Sequence, residues 1–224
     1  MVRFTEGKKV ITVYPGGTGS QFAVYLNTYG EQGEEVYKIL QNMNRTDFSF
    51  ITVSELDWNR DMSPWDAPAV VKNDDPFTGG ADEYLKLMLN EIMPKAEAAL
   101  PETTKKRAIA GYSMAGMFAL YSLFKTDAFE MAASASGSLW FPGLTEFVLT
   151  HETKLKPKKL YFSLGDVEHK VRNLYLRTVQ ENTEEIEKFF REKGVNTVFE
   201  LNQGNHFANA SERMAKGIAW LTDK

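Results

Sequence analysis

KRAIAGYSMAGMFALYSLF, residues 106–124, decides how the rest of the chain is read. KRAIAGY is a short run that turns apolar toward its end, as a buried strand does, and MAGMFALYSLF reads as a helix. Between them Gly111, Ser113, Ala115 and Gly116 surround one hydroxyl with small residues. Such crowding suits a backbone bent so sharply that side chains larger than a methyl would collide. Two physical readings compete: a nucleophile raised on a strained strand-to-helix turn, or a serine capping a helix. The flanking strand and helix are the context that the first reading requires. Ala115 stands where the usual pattern has glycine.

Working outward, further β-rich runs lie at 8–14, 22–27, 48–56, 130–138, 158–165 and 195–202, which with 106–112 makes about seven strands. Longer amphipathic segments separate them. EYLKLMLNEIM places Tyr84, Leu85, Met88 and Ile92 on one helical face, and NTEEIEKFFREKG does so with Ile186, Phe189 and Phe190 before ending on Gly194. The last segment spaces Met214, Ile218 and Leu221 for one face, with Asn209 and Glu212 set as a capping box. Strands alternating with helices predict an α/β fold, a three-layer α/β/α sandwich around a mostly parallel sheet. No linker or repeat divides the chain, so residues 1–224 are expected to form one domain.

Composition narrows the function classes. Apolar residues at 43% and charged residues at 25% match soluble globular proteins, and a net charge of -4 gives no basic surplus for nucleic acid. The opening MVRFTEGKKV is charged where a signal peptide is apolar, and no run of about 18 apolar residues occurs. No membrane association and a cytoplasmic location follow as expectations. With no cysteine, thiol nucleophiles, disulfides and thiolate metal sites are all excluded. The basic clusters at 105–107 and 154–159 precede buried-looking strands and read as solvated strand starts.

A serine hydroxyl needs a base within hydrogen-bond reach and a third group to orient that base. The chain has three histidines, His151, His169 and His206. His206 in NQGNHF follows the last strand, which fits the order serine, acid, histidine of this elbow type; His151 and His169 come too early. The acid is expected just after KKLYFSLG, where Asp166 and Glu168 stand. Glu168, three residues past Gly165, is favoured; Asp166 is the alternative acid, and otherwise caps the turn. Oxyanion donors are expected from the backbone of Met114 and from Thr28 or Tyr29 in the loop after FAVYLN. Trp58, Trp65, Trp140 and Phe141 are candidate cleft walls, and Arg60 a candidate contact for an anionic substrate.

Taken together, AGYSMAG, SGSLWFPG, the SLGDVE turn and the GNHF loop resemble the α/β-hydrolase superfamily, and within it the putative-esterase branch. That branch includes siderophore trilactone esterases, feruloyl esterases and S-formylglutathione hydrolases. The resemblance implies a cofactor-free serine esterase in which a small-molecule ester acylates Ser113 and water then releases the acyl group with His206 as base. It also implies a sheet shorter than the usual eight strands, because little sequence precedes the first two. Only about 20 residues separate the SGS strand from KKLYFSLG, too few for a cap domain, so an open cleft is expected. A thioesterase or acyltransferase would use the same residues, and a non-catalytic relative would use the cleft for binding.

Overall fold

A computed structural model describes residues 1–223. Its strands are β1 (Val2–Glu6), β2 (Lys9–Tyr14), β3 (Phe22–Asn27), β4 (Ser49–Ser54), β5 (Asp66–Ala67), β6 (Phe77–Thr78), β7 (Lys106–Tyr112), β8 (Met131–Ala135), β9 (Lys159–Gly165) and β10 (Asn196–Asn202). Eight of them form one sheet in the order β1-β2-β4-β3-β7-β8-β9-β10, and β5 pairs with β6 as a small hairpin. β2 runs antiparallel to both neighbours, while the pairs from β4 through β10 are parallel.

The expected α/β class holds, with eight strands in place of about seven. The addition is β1, whose exposed polar residues hide it from a search for apolar runs. It is an edge strand with only Phe4 reaching the core. Gly7 at φ 59° opens the two-residue turn that pairs Glu6 with Lys9, a position where a side chain would be strained.

Helices cover both faces: α1 (Gln32–Asn42) and α8 (Ala210–Thr222) on one, and α3 (Ala81–Leu87), α4 (Met93–Ala98), α5 (Met114–Lys125) and α7 (Val179–Glu192) on the other, while α2 (Trp58–Asp61) and α6 (Leu144–Thr150) are short. Strand periodicity assigns the faces. Ala23, Tyr25 and Ile109 join the core under α5 and α7, whereas Val24, Leu26, Ala108 and Ala110 join the core under α1 and α8. Burial on both sides explains why these strands read as unbroken apolar runs. α5 is buried at every residue but its last, the pattern of an internal helix.

Two helical expectations change in detail. The segment around 83–93 extends from Ala81 to Ala98 and contains a π-helical stretch, Met88–Ile92, before Pro94. The capping box at α8 does not form. Asn209 lies in the left-handed region at φ 53°, and its side chain makes no cap hydrogen bond.

The close approach of α5 to β7 depends on Gly111. A β-carbon there would lie 2.3 Å from the carbonyl carbon and oxygen of Ala115, backbone atoms that cannot yield. Gly111→Ala is expected to destabilise the protein by about 3 kcal/mol. A urea unfolding midpoint equal to that of the wild type would contradict this packing.

Candidate active site

The carboxyl ends of the parallel strands form one edge, and in such sheets functional groups collect there. Ser113 follows β7 at φ 57° and ψ -125° as the residue preceding α5. A non-glycine residue at positive φ costs energy that the surrounding structure must supply. Here the hydrogen bonds from Ser113 N–H to the Ala135 carbonyl and from Ser138 N–H to the Ser113 carbonyl help to hold it. Its side chain makes no capping bond, so the hydroxyl is directed away from the helix it precedes.

His206 lies in the loop after β10, with Nε2 3.1 Å from Ser113 Oγ and Nδ1 2.9 Å from Glu168 Oε2. An imidazole protonated on Nδ1 donates to Glu168 and accepts from the Ser113 hydroxyl. Among the three histidines, His151 instead contacts Thr150 and the Phe147 carbonyl. Asp166 does not reach His206: its Oδ1 accepts from Gly204 N–H at 2.9 Å, tying the β9 loop to the histidine loop.

Glu168 is almost fully buried, and its other oxygen, Oε1, accepts from Gly165 N–H at 2.5 Å, Ser136 Oγ at 2.7 Å and Arg213 Nη1 at 3.0 Å. Burial pushes the carboxyl up, but bonds from His206, Gly165 N–H and Ser136 outweigh it and hold the group below its ordinary value. Ser136 is itself at φ 43°, a second strained position at this edge.

Arg213 is the functional-site residue that sequence reading missed. It is only 1% exposed, on the inward side of α8. Nη1 also donates to Tyr112 Oη and Ser136 Oγ, and Nη2 donates to the Gln203 and Asn205 carbonyls. Tyr112 Oη in turn donates to the His206 carbonyl at 2.7 Å. One guanidinium therefore joins the acid to the histidine loop. Gly165 makes room for it, since a β-carbon there would lie 3.0 Å from Nη2. The available signal was an arginine beside Met214 on a helix face read as apolar.

The expected oxyanion donors separate. Met114 N–H belongs to the first residue of α5 and has no helical acceptor. Thr28 does not qualify: its N–H donates to the Val53 carbonyl at 2.9 Å. Tyr29 N–H remains from that loop.

Two cavities meet at Ser113, His206 and Phe207. One, about 320 Å³, is walled by Trp140, Val167, Val171, Leu176 and Val179. The other, about 280 Å³, is lined by Asn27, Tyr29, Gln32 and Trp58, with the Tyr29 and Trp58 rings edge to face at 5.6 Å. Trp140 thus lines the first cavity and Trp58 the second. Trp65 and Phe141 line neither: Trp65 bonds the Pro142 carbonyl and packs on Phe141, which is buried in the core. Arg60 also lies elsewhere, its stem covering Gly80 and its guanidinium pairing with Asp61 and Glu83. A cavity of about 640 Å³ at the opposite edge brings Lys105, Lys106, Lys158 and Lys159 together but has no histidine in its lining. Among the described residues, no cluster of three or more His, Asp or Glu has a metal-holding arrangement, and no helix is long and apolar enough to cross a membrane.

Comparison with known proteins agrees with this architecture. The family model described as "Putative esterase" matches residues 29–207. The siderophore triacetylfusarinine C esterase of Aspergillus fumigatus is 33% identical over 78 residues, 34% of this chain and 26% of that protein. The match thus spans about a quarter of the curated relative. Among solved structures, the siderophore hydrolase EstA from Aspergillus nidulans aligns with a TM-score of 0.71 and 20% identity, covering 95% of this chain and 89% of that one. An IroE-like serine hydrolase from Shewanella oneidensis aligns with a TM-score of 0.76 and 19% identity, covering 95% and 74%. At these identities the likeness is one of fold.

The depressed Glu168 carboxyl links this site to stability. A group whose folded value lies below its unfolded value stabilises the fold above the unfolded value and loses that contribution as pH falls through the folded one. Stability of the wild type should therefore decline more steeply than that of Glu168→Gln as pH drops below about 5. Urea unfolding at a series of pH values tests this; parallel curves would remove the linkage.

Proposed function

The chain belongs to the Putative esterase family, and from that premise we propose that it hydrolyses small-molecule carboxylic esters through an acyl-enzyme on Ser113. The observation that carries this reading is the continuous chain from Ser113 Oγ to His206 Nε2 at 3.1 Å and from His206 Nδ1 to Glu168 at 2.9 Å. His206 takes the hydroxyl proton as Oγ attacks the ester carbonyl carbon. The oxyanion that forms is stabilised by N–H groups of Met114 and Tyr29. Collapse breaks the bond to the alcohol oxygen, which takes the proton from His206 and leaves. Water then attacks the acyl-enzyme, with His206 as base again, releasing the acid and restoring Ser113.

Glu168 orients His206 and stabilises the imidazolium that each step creates. Arg213 contributes by holding Glu168 and the histidine loop in register; it does not face either cavity. Asp166 ties two loops together and takes no part in proton transfer.

A fluorophosphonate probe should label Ser113, as mapped by mass spectrometry, and Ser113→Ala should abolish both labelling and hydrolysis of a short p-nitrophenyl ester. Unimpaired hydrolysis by Ser113→Ala would end this reading.

Glu168→Gln should lower kcat by about 10⁴-fold, as loss of the corresponding charge does in the serine protease triad. Asp166→Asn should stay within about tenfold of the wild type, because it weakens only the contact to Gly204. The reverse ranking of the two variants would move the acid role to Asp166.

A further inference from the structure

The turn after β8, SGS at residues 136–138, reaches both ends of the chain formed by Ser113, His206 and Glu168. Ser136 Oγ donates to Glu168 Oε1 at 2.7 Å. Two residues on, Ser138 N–H donates to the Ser113 carbonyl at 3.0 Å, and Ser138 Oγ stands 3.3 Å from Ser113 Oγ.

The direction of the bond between the two hydroxyls follows from their surroundings. Ser113 has one hydroxyl proton, and with neutral His206 it goes to Nε2, 3.1 Å away. Toward Ser138 the nucleophile can then only accept. Ser138 is 1% exposed, and Ser113 Oγ is the one hydrogen-bond partner of its hydroxyl among the described residues. A buried hydroxyl without a partner is costly, so Ser138 O–H donates to Ser113 Oγ.

At 3.3 Å this is a long bond for two hydroxyls. Its strength depends on the charge of the acceptor. Neutral in the resting site, Ser113 Oγ gains negative charge as His206 withdraws its proton. An O–H donor to an anionic oxygen draws in to about 2.5–2.7 Å and becomes roughly twice as strong. An interaction that grows between ground state and transition state lowers the barrier without tightening substrate binding.

Resting on the esterase reading above, we propose that Ser138 is a further catalytic residue, whose hydroxyl donates to Ser113 Oγ as that oxygen attacks the ester carbonyl. The Ser113 proton passes to His206 Nε2 and the new bond joins Oγ to the carbonyl carbon, while the Ser138 proton stays on its own oxygen. When water cleaves the acyl-enzyme, Oγ departs through the same charged state and meets the same donor. The N–H groups of Met114 and Tyr29 serve the carbonyl oxygen; Ser138 serves the attacking one.

Ser138→Ala should lower kcat for p-nitrophenyl butyrate about tenfold, the size expected for one hydrogen bond, with KM within about twofold of the wild type. Ser138→Thr and Ser138→Val share one shape and differ in the hydroxyl, so their ratio cancels the effect of the added methyl group. The threonine variant should exceed the valine variant in kcat by about tenfold. The acidic limb of the kcat/KM profile, which reports the base of the free enzyme, should coincide in wild type and Ser138→Ala, because the lost bond does not touch the imidazole.

Wild-type kcat in Ser138→Ala overturns the inference, as does equal, measurable kcat in the threonine and valine variants. A displaced acidic limb also overturns it, by showing that the loss comes through His206. The alanine variant decides alone if the larger side chains prevent folding. In each of these cases Ser113-dependent hydrolysis by the wild type leaves the esterase reading standing; absence of such hydrolysis overturns both.

Discussion

A carboxylate buried at the edge of a parallel sheet must have its lost hydration replaced, and Glu168 meets this demand through four donors drawn from four parts of the chain. Gly165 N–H comes from the end of β9, Ser136 from the turn after β8, Arg213 from α8 and His206 from the loop after β10. Removing a partner would leave a buried charge exposed to the full desolvation cost, several kcal/mol for an ion. The network therefore acts as a geometric clamp. Arg213 extends it to two backbone carbonyls of the histidine loop and, through Tyr112, to a third.

The clamp also accounts for the strained backbone around it. Ser113 and Ser136 both sit at positive φ, and each lies at the end of an adjacent parallel strand, where the register pairs Tyr112 with Ala135. Small residues allow the strands to turn this tightly. Gly111 leaves room for Ala115, and Gly137 leaves room for Ser134, whose hydroxyl would lie 2.0 Å from an added β-carbon. Strain held in place by packing and hydrogen bonds is a common property of functional edges. It leaves the serine hydroxyl beside the imidazole with no need for rearrangement.

The cleft divides by chemistry on either side of that hydroxyl. Aliphatic side chains and Trp140 wall one cavity, and Tyr29, Trp58 and amide side chains border the other. The aromatics that stay out of the cleft serve the fold. Trp65 bridges the β5–β6 region to Phe141, Tyr121 and Phe147, anchoring the long connection between β4 and α3 onto the core.

By itself the sequence determined the α/β class, the strand-to-helix turn at Ser113 and the positions of His206 and Glu168 beyond strand ends. These are local properties: apolar runs buried on both faces, small residues at a sharp turn, polar loops at fixed places in the chain order. Tertiary structure decided whatever depends on partners distant in sequence. β1 exists because Gly7 returns a polar edge strand onto β2; Thr28 is lost as a donor because Val53 claims its N–H; Trp65 and Phe141 turn from the cleft because neighbours far along the chain bind them, and Arg60 because it pairs with the adjacent Asp61 and with Glu83. Arg213 is the clearest case. An arginine on an apolar helix face has no local meaning, and only packing of α8 against the sheet brings its guanidinium to a carboxylate 45 residues away, where each charge makes burial of the other tolerable.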